Sequence, residues 1–445
     1  MTTDLLSLLD DCVRRAVKAG ADGADALAYD SQSVSVARRL GKPEKLERSE
    51  SRDLGVRVFV GRRQAVVSTS ERTPEALAGL VERAVAMAQA VPEDPYCGLA
   101  DPDQLARSWP DLDLADPVEP TVKQLIAQAE EAETAAMAVK GVTNSEGAES
   151  GWGRSDIALV MSNGFAGSYA RTSHSFSVSV IAGDGAGMER DYDYSSAVHV
   201  EDLQNPTEIG RSAGERAVRR LNPRKGKTAS LPVVFDPRVS GGFISALAGS
   251  ISGPSITRGT SFLKDQLNAD LFAAGIDIVD DPFIARGMRS RPFDGEGVAP
   301  SRRAIIENGR LTTWLLDLRS ARQLGMKTTG HASRGTGGPP SPSPNNLALM
   351  PGAKTPAELI GEIEQGLYVT EMMGMGLNGV TGDYSRGAAG FWIENGVLTH
   401  PVSEMTVAGN LREMFRRLTP ASDLVRRYGV DAPTVRIDGM TVAGR

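Results

Sequence analysis

The chain is poor in the side chains that build metal and redox centres: two cysteines and four histidines serve 445 residues. Cys12 falls in a helical apolar pattern and Cys97 lies far from it, so both read as reduced thiols and no disulfide framework is supported. The histidines, His174, His199, His331 and His400, stand at least 25 residues apart. None has the close His/Glu or Cys/His spacing of a zinc site. Aromatic residues reach only 5% and the net charge is −7, which supplies neither the overall field nor the aromatic-studded basic surface of a nucleic-acid binder. Long apolar runs are missing too. The best, LAGLVERAVAMAQAV, is broken by Glu82 and Arg83 and falls short of the ~18–20 residues that span a bilayer. The opening MTTDLLSLLDDCVRR carries acids where a secretory signal carries a basic segment. A cytoplasmic protein with no nucleic-acid or membrane partner is expected.

Glycine is plentiful at 48 residues, which favours a turn-rich β component over a helical bundle. The length suits two or three domains. Leu5, Leu6, Leu9, Val13, Ala16 and Val17 follow helical spacing, and the pattern turns β from about Ala26 to Thr69. Thr73 followed by Pro74 is a strong helix start. Residues 1–92 therefore read as an N-terminal α+β unit. A second unit, 93–228, holds a helix from Thr121, a β run from Val142 to His199 with a hairpin at Asn163-Gly164, and a helix after Asn205-Pro206. That helix ends in RAVRRLNPRKGK, read as cations at a helix C-terminus running into a solvated linker. From 229 to 445 the chain is β-rich and repeats itself. IENGRLT (306–312) returns as IENGVLT (393–399), each a hairpin signal, and TGHASRG (329–335) returns as TGDYSRG (381–387). The expected class is α+β: N-terminal α/β units of mixed sheet and helices, together one N-terminal domain, then a large β-rich C-terminal domain.

Three motifs match catalytic patterns formally and fail on context. GMGLNG (374–379) has the glycines of a dinucleotide fingerprint, but turn and strand follow it in place of a helix. Ser261-Phe-Leu-Lys264 matches S-x-x-K without the S-D-N and K-T-G elements that complete that site. GRSAG (210–214) matches a nucleophile elbow, yet Ser212 falls inside a helix with no strand leading into it. A polar set remains near Gly/Pro-rich loops: His331, Ser333, Arg334, Glu371, Asp383, Tyr384, Ser385 and Arg386. It reads either as loop-fixing ion pairs, Arg386 with Asp383 or Glu371, or as a groove for peptide or carboxylate with arginine donors. A strand, LPVVFDP, also leads into GGFISALAGSISGPS (241–255), the frame of an active-site turn without a charged or metal-binding side chain.

The stretch GLYVTEMMGMGLNGVTGDYSRGAAGFWIENGVLTHPVSEMTVAGNLREMF (366–415), with TGHASRG, NNLALMPG and APTVRIDGMTVAG, closely resembles the TldD/PmbA family, in its PmbA/TldE branch. The resemblance implies a subunit of a cytoplasmic TldD–TldE metallopeptidase that cuts small or unfolded peptides, a family with the older label of modulator of DNA gyrase. The TldD-type subunit carries H-E-x-x-x-H on a helix and a late cysteine; the TldE type lacks them and helps enclose the chamber. Aligned on the preceding strand and the following SFL, the motif falls on Ser245, Ala246 and Ser250. No histidine lies between His199 and His331, and no cysteine follows Cys97. Ser and Ala supply neither the lone pairs a Zn²⁺ needs nor a base for its water. The expectation is a catalytically silent chain with no cofactor of its own, zinc residing in a TldD-type partner. His331, Arg334, Glu371, Asp383 and Arg386 are candidates for the substrate groove or its loops. The partners expected are a TldD-type subunit in a heterodimer, a homodimer when alone, and a peptide substrate. The alternative is a standalone homo-oligomeric peptide-binding or chaperone-like protein. A third reading is an independent hydrolase using His331 with Asp383 or Ser385.

Overall fold

Side chains alternate along a strand, so the parity of the apolar positions decides which face meets which layer. The computed structural model describes residues 2–444. Its first half contains, in chain order, α1 (Thr2–Lys18), β1 (Gly23–Arg39), β2 (Lys42–Val60), β3 (Arg63–Thr69), α2 (Pro74–Ala90), α3 (Val122–Met137), β4 (Val142–Met161), β5 (Ala166–Ala182), β6 (Glu189–Ala197) and α4 (Pro206–Arg219). The strands form one sheet in the order β3-β2-β1-β4-β5-β6, antiparallel at each pairing. The β1–β4 ladder, from Asp25↔Met161 to Arg38↔Ala148, joins the first β run to the second. Even-numbered Ala26, Ala28, Val56, Val58 and Val160 share a core with α1 and α2, and Phe176, Val178 and Val180 share one with α3 and α4. Odd-numbered Leu27, Ile157, Leu159 and Met161 turn the other way, onto Phe165 and Phe293. Helices thus cover one face of the sheet and the C-terminal half takes the other.

GRSAG has a packing role. A Cβ at Gly210 of α4 would lie 2.1 Å from the carbonyl oxygen of Ala132 in α3, and one at Gly214 would lie 2.8 Å from that of Ala136. Four residues apart, the two glycines share a helix face, and their missing side chains let the helices touch. The basic segment is largely exposed, as its composition suggests, and several of its cations are paired. Arg216 pairs with Asp193 at 2.9 Å, Arg220 with Glu371 at 2.5 Å and Lys225 with Glu404 at 2.5 Å. Arg219 lies over the Phe391 ring at 5.0 Å.

The C-terminal half contains β7 (Ala229–Phe235), α5 (Pro237–Ser250), α6 (Gly253–Thr257), β8 (Ile278–Asp281), β9 (Arg303–Glu307), β10 (Arg310–Leu311), α7 (Leu318–Gln323), β11 (Ala332–Ser333), β12 (Ser341–Pro342), β13 (Asn346–Leu349), α8 (Pro356–Gly361), β14 (Gln365–Met373), β15 (Asp383–Glu394), β16 (Val397–Asn410), α9 (Leu411–Arg416), β17 (Leu418–Pro420), β18 (Val430–Asp431) and β19 (Val435–Ala443). One sheet runs β16-β15-β14-β7-β19-β17, and a further β16–β19 pairing closes it into a small barrel. A second runs β10-β9-β8-β13-β18. Both IENG repeats are hairpin turns with φ positive at both central residues, Asn308 and Gly309 (46° and 86°), Asn395 and Gly396 (50° and 79°), the type I′ geometry that Asn-Gly favours. Phe243, Ile244 and Leu247 of α5 share a single core with Phe235 and Leu367 of the barrel and Ile278 and Leu347 of the second sheet. The architecture is α+β, with a β-rich C-terminal half. Among the described residues no helix is long and apolar enough to cross a membrane.

Candidate functional site

Asp236 follows β7 and caps α5: its carboxylate accepts from the Arg238 N–H at 2.9 Å, and Pro237 fills the first helical position. The apolar side of α5 is spent on the core. Its small side, with Ser245, Ala248 and Gly249, forms the floor of a cleft of about 710 Å³. One wall is the proline-rich run 339–344; Arg258, Arg289 and Arg319 stand at the rim with Asp94 and Asp317.

Of the three positions matched to the metal motif, only Ser245 reaches this cleft. Ala246 packs against the core. Ser250 is buried, and its hydroxyl donates to the carbonyl of Ala246 at 2.8 Å. With Ser245 at the cleft and Ser250 turned onto its own backbone, the two do not converge on one ion. The carboxylates at the cleft are already used. Asp94 accepts from Arg319 at 2.6 Å and from the Tyr96 N–H at 3.1 Å; Asp317 caps α7 through the Ser320 N–H at 2.9 Å. Among the described residues no group of three His, Cys, Asp or Glu side chains is placed to hold a metal. The family zinc does not fit this cleft.

The other sequence candidates do not converge either. His331 is fully buried, with Nδ1 2.8 Å from the Thr329 hydroxyl and Nε2 3.1 Å from Asp280. Asp280 in turn accepts from the Asn345 N–H at 2.7 Å and from its amide at 2.6 Å. Arg334 runs back to the N-terminal sheet and pairs with Asp25 at 2.5 Å. Its burial pushes the guanidinium pKa down, against the pull of Asp25. Glu371 in β14 joins Arg220 and, at 3.6 Å, Arg190. Asp383 sits exposed at the start of β15; the Thr381 hydroxyl at 2.7 Å and the Asn410 amide at 3.0 Å hold its carboxyl below the usual range. Arg386 reaches the Met372 carbonyl at 3.4 Å. Among the described residues Arg386 pairs with neither Asp383 nor Glu371, and His331 with neither Asp383 nor Ser385; Arg334, Glu371 and His331 meet partners outside the set.

Two groups were invisible in the sequence. The rim arginines come from the end of α6, the connection between β8 and β9, and α7, so no spacing announces them. The second is a buried charge cluster between the halves. Arg57 contacts Asp25 at 2.7 Å and Glu296 at 3.7 Å, all three essentially without solvent contact. Burial pushes the Glu296 carboxyl up to about 8, with Asp294 and Asp317 acting in the same direction and Arg57 against it.

Three family domains tile the chain. PmbA/TldA metallopeptidase domain 1 matches residues 24–88, the central domain 115–221 and the C-terminal domain 228–444. Metalloprotease PmbA of Escherichia coli O157:H7 is 38% identical over 443 residues, 98% of this chain and 96% of that protein. A Metalloprotease PmbA homolog of Haemophilus influenzae is 37% identical, covering 99% and 96%. Among solved structures, a protein described as a modulator of DNA gyrase from Bacteroides thetaiotaomicron superposes with a TM-score of 0.91 at 28% identity, covering 99% of this chain and 98% of that one. TldE from Thermococcus kodakarensis superposes with a TM-score of 0.85 at 20% identity, covering 98% and 99%, a likeness of fold.

Proposed function

The chain belongs to the PmbA/TldD metallopeptidase family, and within it we propose that this chain is the non-catalytic, TldE-type subunit of a cytoplasmic peptidase. It closes the chamber and holds a small or unfolded peptide, while a TldD-type partner brings the zinc and cleaves. The observation that carries this is the floor of the α5 cleft. A metallopeptidase needs at least three imidazole, thiolate or carboxylate ligands and an activated water; here the floor offers Ser245, Ala248 and Gly249. On this reading residues 1–92 and 93–228 form the N-terminal domain and 229–445 the C-terminal one.

A partner needs a face to dock on. Met373 at the end of β14 and Met375, Leu377 and Val380 in the loop that leads to β15 are all exposed, Met375 wholly so. Apolar groups gathered on one exposed loop favour a protein contact. The Gly379 carbonyl accepts from the Phe262 N–H at 2.8 Å, which ties this loop to the segment leaving α6 at the cleft rim. Purified alone, the chain binds no stoichiometric zinc and cleaves no peptide. Mixed with a TldD-type subunit it forms a complex by light scattering and peptide hydrolysis appears. Metal-dependent cleavage by the lone chain overturns this; failure to form the mixed complex favours a standalone peptide-binding protein.

A further inference from the structure

We propose that the α5 cleft binds the carboxylate-bearing part of a peptide, either its free C-terminus or an acidic side chain. This rests on the peptide-holding role argued above and adds the chemistry that the cleft selects. The volume, about 710 Å³, lies in the ~300–1,000 Å³ range of ligand sites. Its charge is unbalanced. Of the rim arginines only Arg319 has a carboxylate, Asp94, at 2.6 Å. Arg258 and Arg289 are exposed at the rim, and the ion pairs and side-chain hydrogen bonds of the described residues leave both without a partner. Two free guanidiniums facing one cleft are fork-shaped donors suited to carboxylate oxygens.

The walls complement the rest of a peptide. Pro339, Pro340, Pro342 and Pro344 carry no N–H. The Ser343 N–H is given to the His331 carbonyl at 2.9 Å, and Ser341 is paired in the β11–β12 ladder. The backbone of this wall has no N–H to spare and offers carbonyls, with the Ser341 and Ser343 hydroxyls able to donate or accept, which suits the N–H groups of an extended chain. The floor admits close approach, since a Cβ built on Gly249 meets nothing within 4 Å. The cleft therefore offers arginine donors at one end and acceptors along the side, over a floor without bulk.

The test uses this chain alone and three fluorescein-labelled alanine hexapeptides: one with a free C-terminal carboxylate, its C-terminal amide, and an amide carrying two internal glutamates. Fluorescence anisotropy is expected to show at least one carboxylate-bearing peptide binding about tenfold tighter than the neutral amide, and the arm that gains identifies the source of the carboxylate. The preference weakens as salt rises. Arg258→Ala combined with Arg289→Ala removes it. Gly249→Leu, which fills open space on a helix and so leaves folding intact, abolishes binding of every peptide. Equal binding of the neutral amide, binding indifferent to these variants, or no binding at all overturns the proposal. The assay needs no hydrolysis. Carboxylate-selective binding without partner-dependent cleavage would leave the cleft assignment standing and remove the subunit role; the converse result would do the reverse.

Discussion

At the scale of single residues, the side chain that looks most catalytic is the one the fold uses most completely. His331 is the lone histidine between His199 and His400, and it lies in a Gly-rich loop, where functional groups gather. Its ring is nevertheless enclosed, with each nitrogen matched to a neighbour, Thr329 and Asp280. The sequence could not announce this, because Asp280 is 51 residues away. Removing the ring would leave the buried Asp280 carboxylate short of a partner. His331→Ala is expected to cost about 3 kcal/mol, read as a lower urea midpoint, while the folded fraction keeps the partner-dependent activity proposed above. A variant of full stability that has lost activity would return His331 to the chemistry. Ser245, Ala246 and Ser250 teach the complementary point: adjacency in a motif does not make them share a face, and α5 sends them to the cleft, the core and its own backbone.

At the scale of elements, what was legible was what is local. The 3.6-residue spacing of α1, the Thr73-Pro74 start of α2 and the Asn-Gly turns all depend on neighbours a few residues away, and each is in place. The β1–β4 ladder, the closure of the barrel by β16 and β19, and the meeting of α3 with α4 depend on partners far along the chain. No periodicity encodes them. GRSAG lies inside a helix as its context implies, but its packing role could not be read locally because its partner helix is far along the chain. Two helical glycines provide a paired test of the packing account. Gly210→Ala places a methyl 2.1 Å from the Ala132 carbonyl oxygen, an overpacking expected to cost about 1–3 kcal/mol, more than the ~1 kcal/mol or less that Ala gains over Gly in a helix. At Gly249 the same substitution meets nothing within 4 Å, so only the gain remains. Thermal unfolding should move down for the first variant and up for the second; movement in one direction for both would show that helix propensity, not the seam, governs α4.

At the scale of the whole molecule, the two halves are joined by charges that water does not reach. Asp25 and Arg57 come from β1 and β2, Glu296 and Arg334 from the C-terminal half, and their side chains are 3% exposed or less. Such a cluster is costly to bury and costlier to break, so it fixes how the halves meet more than it adds net stability. Its protonation gives it a pH signature. The Glu296 carboxyl is pushed up to about 8 in the folded chain, first by burial, and it returns to the ordinary carboxylate range near 4.3 when unfolded. Between those values the folded state holds a proton that the unfolded state does not. Unfolding then releases a proton, and stability falls as pH rises through this window. Below it both states are protonated and the contribution is fully present; above about 8 it is gone. Asp294, raised by the same burial, acts in the same sense. Carboxylates held low by hydrogen bonds, such as Glu133, act oppositely at acid pH, so the difference between two proteins is the proper observable. Glu296→Gln keeps an acceptor for the Leu318 N–H, 2.8 Å from the carboxylate, and removes the titration. The stability of the native chain minus that of this variant, from urea unfolding at pH 5, 6, 7 and 8, is expected to decline steadily with pH. A flat difference would place the charge of Glu296 in both states alike and leave the junction to the Asp25–Arg57 and Asp25–Arg334 pairs.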